Sequence, residues 1–173
     1  MKMQLNDFLR QDSEWLRGTG PSSDIVLSSR TRLARNLDRC SFSQWADKKQ
    51  LNEVLSAVKE AASETIFLKN SLFFRLKDLS EVDRIFLVER HLMSPDHAKE
   101  VEYKALIGDP KEVVSIMVNE EDHLRIQVLQ SGFNLKEAWR IIDEIYTELS
   151  KRLAYAYSTK WGYLSAFPTI TGT

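Results

Sequence analysis

The chain has 173 residues, 43% of them apolar and 28% charged, enough for one globular domain with a core of its own. Lys+Arg 24 against Asp+Glu 25 leaves a net charge of −1, so no global field draws it to nucleic acid or anionic lipid, and an anion site has to be a local cluster. The single cysteine, Cys40, excludes an internal disulfide and makes a reducing compartment the simplest home; no apolar run approaches the ~20 residues that span a bilayer.

The polar, acid-bearing start of the chain is not a signal peptide. Leu5, Phe8, Leu9, Trp15 and Leu16 instead predict a short amphipathic helix within residues 1–17, followed by a flexible connection from Gly18 to Ser23. Residues 1–23 therefore read as a helical segment with its linker, and 24–173 as the main domain. A strand is expected from Asp24 to Leu27, running into Ser28-Ser29-Arg30-Thr31-Arg32. Asp47 and Gln50 have capping-box spacing ahead of a helix whose stripe is Leu51, Val54, Leu55, Val58 and Ala62.

Ser71 to Leu76 reads as a strand, and Ser80 caps a helix to His91 with Val82, Ile85 and Phe86 inward. Asp109-Pro110 is a turn, and Val113–Val118 and Leu124–Leu129 are paired antiparallel strands. Asn134 precedes a long amphipathic helix carrying Leu135, Ala138, Trp139, Ile142, Ile145, Tyr146, Leu149 and Leu153, and Gly162–Ala166 returns as a strand. Trp139 and Trp161 are placed in the core. Meandering strands with intervening helices give an α+β fold, an antiparallel sheet flanked by helices.

Two clusters carry chemistry. On a continued strand Ser28, Arg30 and Arg32 share one face, with the two guanidiniums ~7 Å apart, a spacing that suits a polyphosphate. A solvated basic edge strand is the plainer alternative and, from spacing alone, the better supported one. In Val118-Asn119-Glu120-Glu121-Asp122-His123-Leu124-Arg125, Glu121 can accept from a guanidinium and Arg125 can hold phosphate; a hairpin turn chosen for its polar residues is again the plainer alternative. His91 alone reads as a helix C-terminal residue, and His91, His97 and His123 lack metal-ligand spacing, so no metal site is assigned. Neither common glycine-rich phosphate loop is present.

Taken together, the segments Ile25 to Asn36 (IVLSSRTRLARN), Val88 to Pro95 (VERHLMSP), Val118 to Gln127 and Gly162-Tyr163-Leu164 resemble the catalytic domain of the phosphagen (guanidino) kinases, and within them the bacterial branch that phosphorylates protein arginines. They occur in the family's order over nearly the whole chain. The resemblance implies a glutamine-synthetase-like fold and ATP-dependent transfer of the γ-phosphoryl group to arginine side chains of proteins. It implies nucleotide-binding roles for Ser28, Ser29, Arg30, Thr31, Arg32, His91 and Arg125, and a catalytic role for Glu121 on the reacting guanidinium. Mg²⁺ would be carried by the nucleotide.

It also implies a cytoplasmic stress-response setting with three kinds of protein partner: substrates bearing exposed arginines, a zinc-binding activator, and Clp-type protease machinery. A homodimer is the implied assembly, with neither nucleic acid nor membrane as a partner. Only 27 residues precede Ser28, too few for the helical domain of the small-guanidine kinases, which leaves room for an arginine on a polypeptide. The match departs at the end: Phe167 stands where the family has an active-site cysteine and Ile170 where it has asparagine. The expectation is thus the N-terminal portion of such a kinase, with a catalytically inactive nucleotide- or phosphoarginine-binding relative as the alternative.

Overall fold

The computed structural model describes residues 12–170. Seven strands and three α-helices are formed among them: β1 Ser28–Arg35, α1 Lys48–Glu64, β2 Leu72–Arg75, α2 Glu81–Glu89, β3 Ala105–Gly108, β4 Val114–Val118, β5 Leu124–Ser131, α3 Leu135–Ser150, β6 Tyr157–Ser158 and β7 Gly162–Tyr163. Five strands make one wholly antiparallel sheet in the order β1-β5-β4-β3-β2, and β6 and β7 pair as a small ribbon.

Alternation along β1 and β5 sorts the sheet into two unlike faces. Leu33, Ile126, Val128, Leu124, Ile116 and Val118 face α1 and α3, which contribute Val54, Leu55, Val58, Ile142, Ile145 and Leu149 to one core. Each buried Leu, Ile or Val there stabilises the fold by roughly 1.5–3 kcal/mol relative to exposure. On the other face α2 and the segment after it cover chiefly the β2–β3–β4 side, where Leu76, Leu87, Leu92, Met93, Leu106 and Met117 pack. The β1–β5 portion is covered only in part, by the 3-10 turn Glu14–Leu16 and by His91, whose carbonyl accepts from Gln127, and it carries Arg30, Arg32 and Arg125.

The capping signals act as their chemistry requires. Asp47 accepts from Gln50 N at 2.8 Å at the start of α1. Ser80 and Asp83 form a reciprocal capping box at the start of α2. Asn134 is the N-cap of α3 without a side-chain cap bond; the Ser29 hydroxyl accepts from its backbone N–H instead, at 2.9 Å.

Several expectations are corrected. The strand begins at Ser28 and not at Asp24: residues 21–25 turn, and Ile25 and Leu27 are exposed. The connection at 18–23 is pinned, since Phe133 N donates to Pro21 O and Gly20 lies so close to the Ser131 carbonyl that a Cβ would overlap it. On α2 the inward residue is Leu87, while Val82 and Ile85 are exposed; the unbroken run Ile85-Phe86-Leu87-Val88 gives no unique apolar face. Trp139 and Trp161 are 54% and 60% exposed, not core. Trp139 lies about 100° around the helix from Ala138, which takes the core position. The return at 162–166 shortens to Gly162–Tyr163. Strand β3 is an addition that periodicity did not reveal, because Ala-Leu-Ile-Gly is buried on both faces and does not alternate. Residues 1–11 of the expected first helix lie outside the described ones; Glu14–Leu16 forms a single 3-10 turn with Trp15 buried.

Candidate active site

Opposite α1 and α3 lies a cleft of about 360 Å³ whose lining includes Arg30, Arg32, His91, Met93, Arg125 and Gln127. Register explains why they meet. Arg32 pairs across with Gln127 and Ala34 with Arg125, so Arg32 and Arg125 are diagonal neighbours on one face. Arg30 lies two residues earlier on the same face. Three guanidiniums line one cleft, an arrangement suited to an anion with several oxygens. Partial burial, and then the positive charges of Arg30 and Arg125, hold the Arg32 pKa below its ordinary value. An anion in the cleft relieves that repulsion.

His91 follows α2 in a left-handed conformation, φ 58°, that non-glycine residues rarely adopt. The turn is held from several sides. Gln127 Nε2 donates to the His91 carbonyl at 2.5 Å, and the ring packs edge-on against Trp15 at 5.1 Å. Its neighbour Arg90 forms a two-pronged ion pair with buried Glu112, which also accepts from the Ser13 hydroxyl. The lock keeps the imidazole at the rim of the cleft.

The β4–β5 turn supplies the carboxylates. Arg125 lies between two of them: Nη1 donates to Glu120 Oε2 at 2.8 Å and Nη2 to Glu121 Oε2 at 2.9 Å. Glu121 is the more open, with its side chain 35% exposed against 5% for Glu120. Glu120 also accepts from the Ser94 hydroxyl, which in turn accepts from His97 N at 3.0 Å. Glu121 thus already engages a guanidinium, that of Arg125, through one hydrogen bond.

Asp122 and His123 serve as fasteners. Asp122 Oδ1 accepts from Asn36 Nδ2 at 2.6 Å and from Ala166 N at 2.7 Å. His123 Nδ1 accepts from Leu37 N at 3.0 Å, so Nε2 carries the proton and donates to Ser41 O at 2.9 Å. His123 N donates to Asn36 Oδ1. Burial lowers the His123 pKa, in keeping with that neutral tautomer.

Of the residues expected at a nucleotide site, Arg30, Arg32, His91 and Arg125 line the cleft, and Glu121 borders it through Arg125. Ser28 shares the face of Arg30 and Arg32. Ser29 and Thr31 point the other way: Ser29 Oγ donates to Gly132 O at 2.7 Å, and Thr31 Oγ1 donates to Ala138 O at 3.1 Å on α3. Their side chains brace the arginine strand from behind. Glu120, Gln127 and Ser94 are additions. Strand alternation puts Gln127 beside Arg125, but nothing in the sequence distinguishes Glu120 from Glu121. Among the described residues no group of three His, Cys, Asp or Glu is arranged to hold a metal ion, and no helix is long and apolar enough to cross a membrane.

Residues 53–173 match the family model described as the ATP:guanido phosphotransferase C-terminal catalytic domain. The chain is 48% identical over 172 residues to a protein-arginine kinase of Halothermothrix orenii and 47% identical over 167 residues to one of Symbiobacterium thermophilum. These alignments cover 99% and 95% of this chain but 49% and 47% of the relatives, so the chain spans about half the length of the curated relatives it matches. Among solved structures, a substrate-free duplicated taurocyamine kinase from Schistosoma mansoni superposes with a TM-score of 0.81 at 22% identity, covering 100% of this chain and 26% of that one. Lombricine kinase superposes at 0.75 and 19% identity, over 100% of this chain and 50% of that one. At such identities the likeness is one of fold.

Proposed function

Because the chain belongs to the ATP:guanido phosphotransferase family, we propose that it is the part of a protein-arginine kinase that binds ATP and presents the glutamate for the target arginine. One observation carries this reading: Arg30, Arg32 and Arg125 line one cleft on the sheet, and Glu121 stands beside them, paired with Arg125 at 2.9 Å.

Phosphoryl transfer is mostly a matter of positioning and charge stabilisation. Arg30, Arg32 and Arg125 grip the phosphate oxygens, and their charge does not titrate away near neutrality. His91 stands at the cleft rim, placed for the rest of the nucleotide. Among the described residues no carboxylate cluster would hold Mg²⁺; carried by the nucleotide, the ion would supply charge neutralisation at the phosphates beside Arg30, Arg32 and Arg125. Glu121 accepts two-pronged hydrogen bonds from the substrate guanidinium and orients one nitrogen toward phosphorus. A guanidinium loses its proton only above a pKa of ~12, so Glu121 accepts it late, as the N–P bond forms.

With this reading go exposed arginines on folded or unfolded proteins as substrates, a cytoplasmic stress-response setting, a zinc-binding activator, Clp-type protease machinery and a homodimer; these rest on family resemblance. Phe167, 39% exposed at the position of the family's cysteine, favours a second reading, a nucleotide- or phosphoarginine-binding module without turnover. Incubation with ATP and an arginine-bearing protein separates the two. An acid-labile phosphoarginine signal in ³¹P NMR that falls on the order of 10²–10⁴-fold in Glu121→Gln supports the kinase. ATP binding without transfer, in this chain and in a version extended to the length of its relatives, supports the module.

A further inference from the structure

A larger cleft, about 910 Å³, opens on the far side of the same turn, lined by Ser43, Tyr103, Glu81, Glu100, Glu102 and Glu120, with Lys99, Lys104 and Arg84 also in its walls. Glu120 belongs to its lining, and Glu120 and Glu121 grip the Arg125 guanidinium of the arginine site at 2.8 and 2.9 Å. A chain entering Glu121 from this side would lay its neighbouring residues along the cleft. We propose that this cleft docks the polypeptide that flanks the target arginine, and that it favours flanks carrying lysine or arginine; the proposal rests on the kinase reading above.

Three properties point to that occupant. The first is room: about 910 Å³ is far more than one arginine side chain fills and is within the span of a few residues of extended chain. The second is charge. Of the cations in the wall, Lys99 pairs with Asp96 at 2.8 Å, whereas Lys104 and Arg84 are tethered to the neutral carbonyls of Lys99 and Leu79, at 3.0 and 2.7 Å, and keep their charge. Glu81, Glu100 and Glu102 are exposed and form no ion pair among the described residues. Three unpaired carboxylates, Glu81, Glu100 and Glu102, against the two cations Lys104 and Arg84 leave the wall with an excess of negative charge. The third is a fixed floor. Asn119 Nδ2 donates to Tyr103 O at 2.8 Å and to Leu51 O at 3.0 Å, tying the turn to both walls, while its buried Oδ1 has no partner. The cleft and the turn therefore hold a constant relation, which a register-selecting groove requires.

The test is titration of the protein, loaded with a non-hydrolysable ATP analogue, with a peptide bearing one arginine between lysines, a second bearing it between glutamates, and N-acetylarginine amide. Amide NMR shifts and calorimetry give location and affinity. The expected result is shifts at both Arg125 and the 99–104 segment with the lysine peptide, which binds more tightly than N-acetylarginine amide. The double variant Glu100→Lys/Glu102→Lys should weaken the lysine peptide by about tenfold while leaving affinity for the ATP analogue and for N-acetylarginine amide unchanged. If peptides shift only the surroundings of Glu121 and Arg125, and the double variant binds all ligands alike, the docking proposal is overturned and the kinase reading stands. If neither the analogue nor any arginine ligand binds, both are overturned.

Discussion

Acid should weaken this fold through one buried imidazole. His97 is wholly buried; Nε2 donates to Ala105 O at 2.9 Å, and Nδ1 has no partner. Burial first, and then the nearby charges of Lys104 and Arg125, push its pKa from 6.5 to about 4, with the Ala105 bond opposing. Between those two values the unfolded chain binds a proton that the folded protein refuses. Stability is therefore unaffected by this group above pH ~6.5 and falls as pH drops toward the folded value. A gap of roughly 2.5 pH units at 1.36 kcal/mol each gives a loss of about 3 kcal/mol across the window, a large share of a typical domain's 5–15. Urea unfolding at a series of pH values, from about 7.5 down to about 4.5, measures it. His97→Gln keeps an N–H donor for the Ala105 carbonyl and does not titrate, so subtracting its curve removes contributions from carboxylates and from His123. Over the window the variant should lose about 3 kcal/mol less than the parent. Parallel curves for the two proteins would refute the account.

Three further outcomes follow from the site and core. Arg125→Met removes a charge-assisted fork worth about 1.5–3 kcal/mol, so calorimetry should find ATP binding roughly 10–100-fold weaker; an unchanged affinity would remove Arg125 from the phosphates. Thr31→Val should lower stability by about 1 kcal/mol in urea and leave ATP affinity intact, because the hydroxyl is bonded to Ala138 O on α3; weakened ATP binding would contradict the face assigned to it. Trp139→Glu and Trp161→Glu, both at exposed positions, should change stability by no more than ~0.5 kcal/mol, whereas Trp15→Ala at 7% exposure should cost about 3–5. Comparable losses at all three would mean the two exposed rings are buried in solution.

The parts of the site that lie on one strand were legible. Period-two alternation put Arg30 with Arg32 and Arg125 with Gln127, and the sheet keeps both pairs. What alternation does not convey is the register between strands sixty or more residues apart, and that register makes the two pairs one cluster. The same rule, applied to Ser29 and Thr31, sends their side chains to the helix side, where the hydroxyls donate to Gly132 O and Ala138 O. Helix faces were legible where the apolar stripe was sparse, as in α1, and ambiguous where apolar residues ran together, as in α2. Strand β3 escaped because a short run buried on both faces has no period to detect. Glu120 was indistinguishable from Glu121 because burial in a turn is set by what packs on it, here Ser94 from the segment after α2.

The turn from Asn119 to His123 is five residues long, yet it is moored to segments 16, 26, 44, 68 and 86 residues away: Tyr103, Ser94, Ala166, Leu51 and Leu37. A hairpin ordinarily takes shape from its own neighbours within microseconds. This one cannot be completed until distant chain has come home, and closing such loops carries an entropic toll that local contacts do not repay early. An excised β4–β5 hairpin would still carry Glu120, Glu121 and Arg125 but not Arg30, Arg32 or His91, so the cleft belongs to the whole assembled sheet rather than to the motif that announces it.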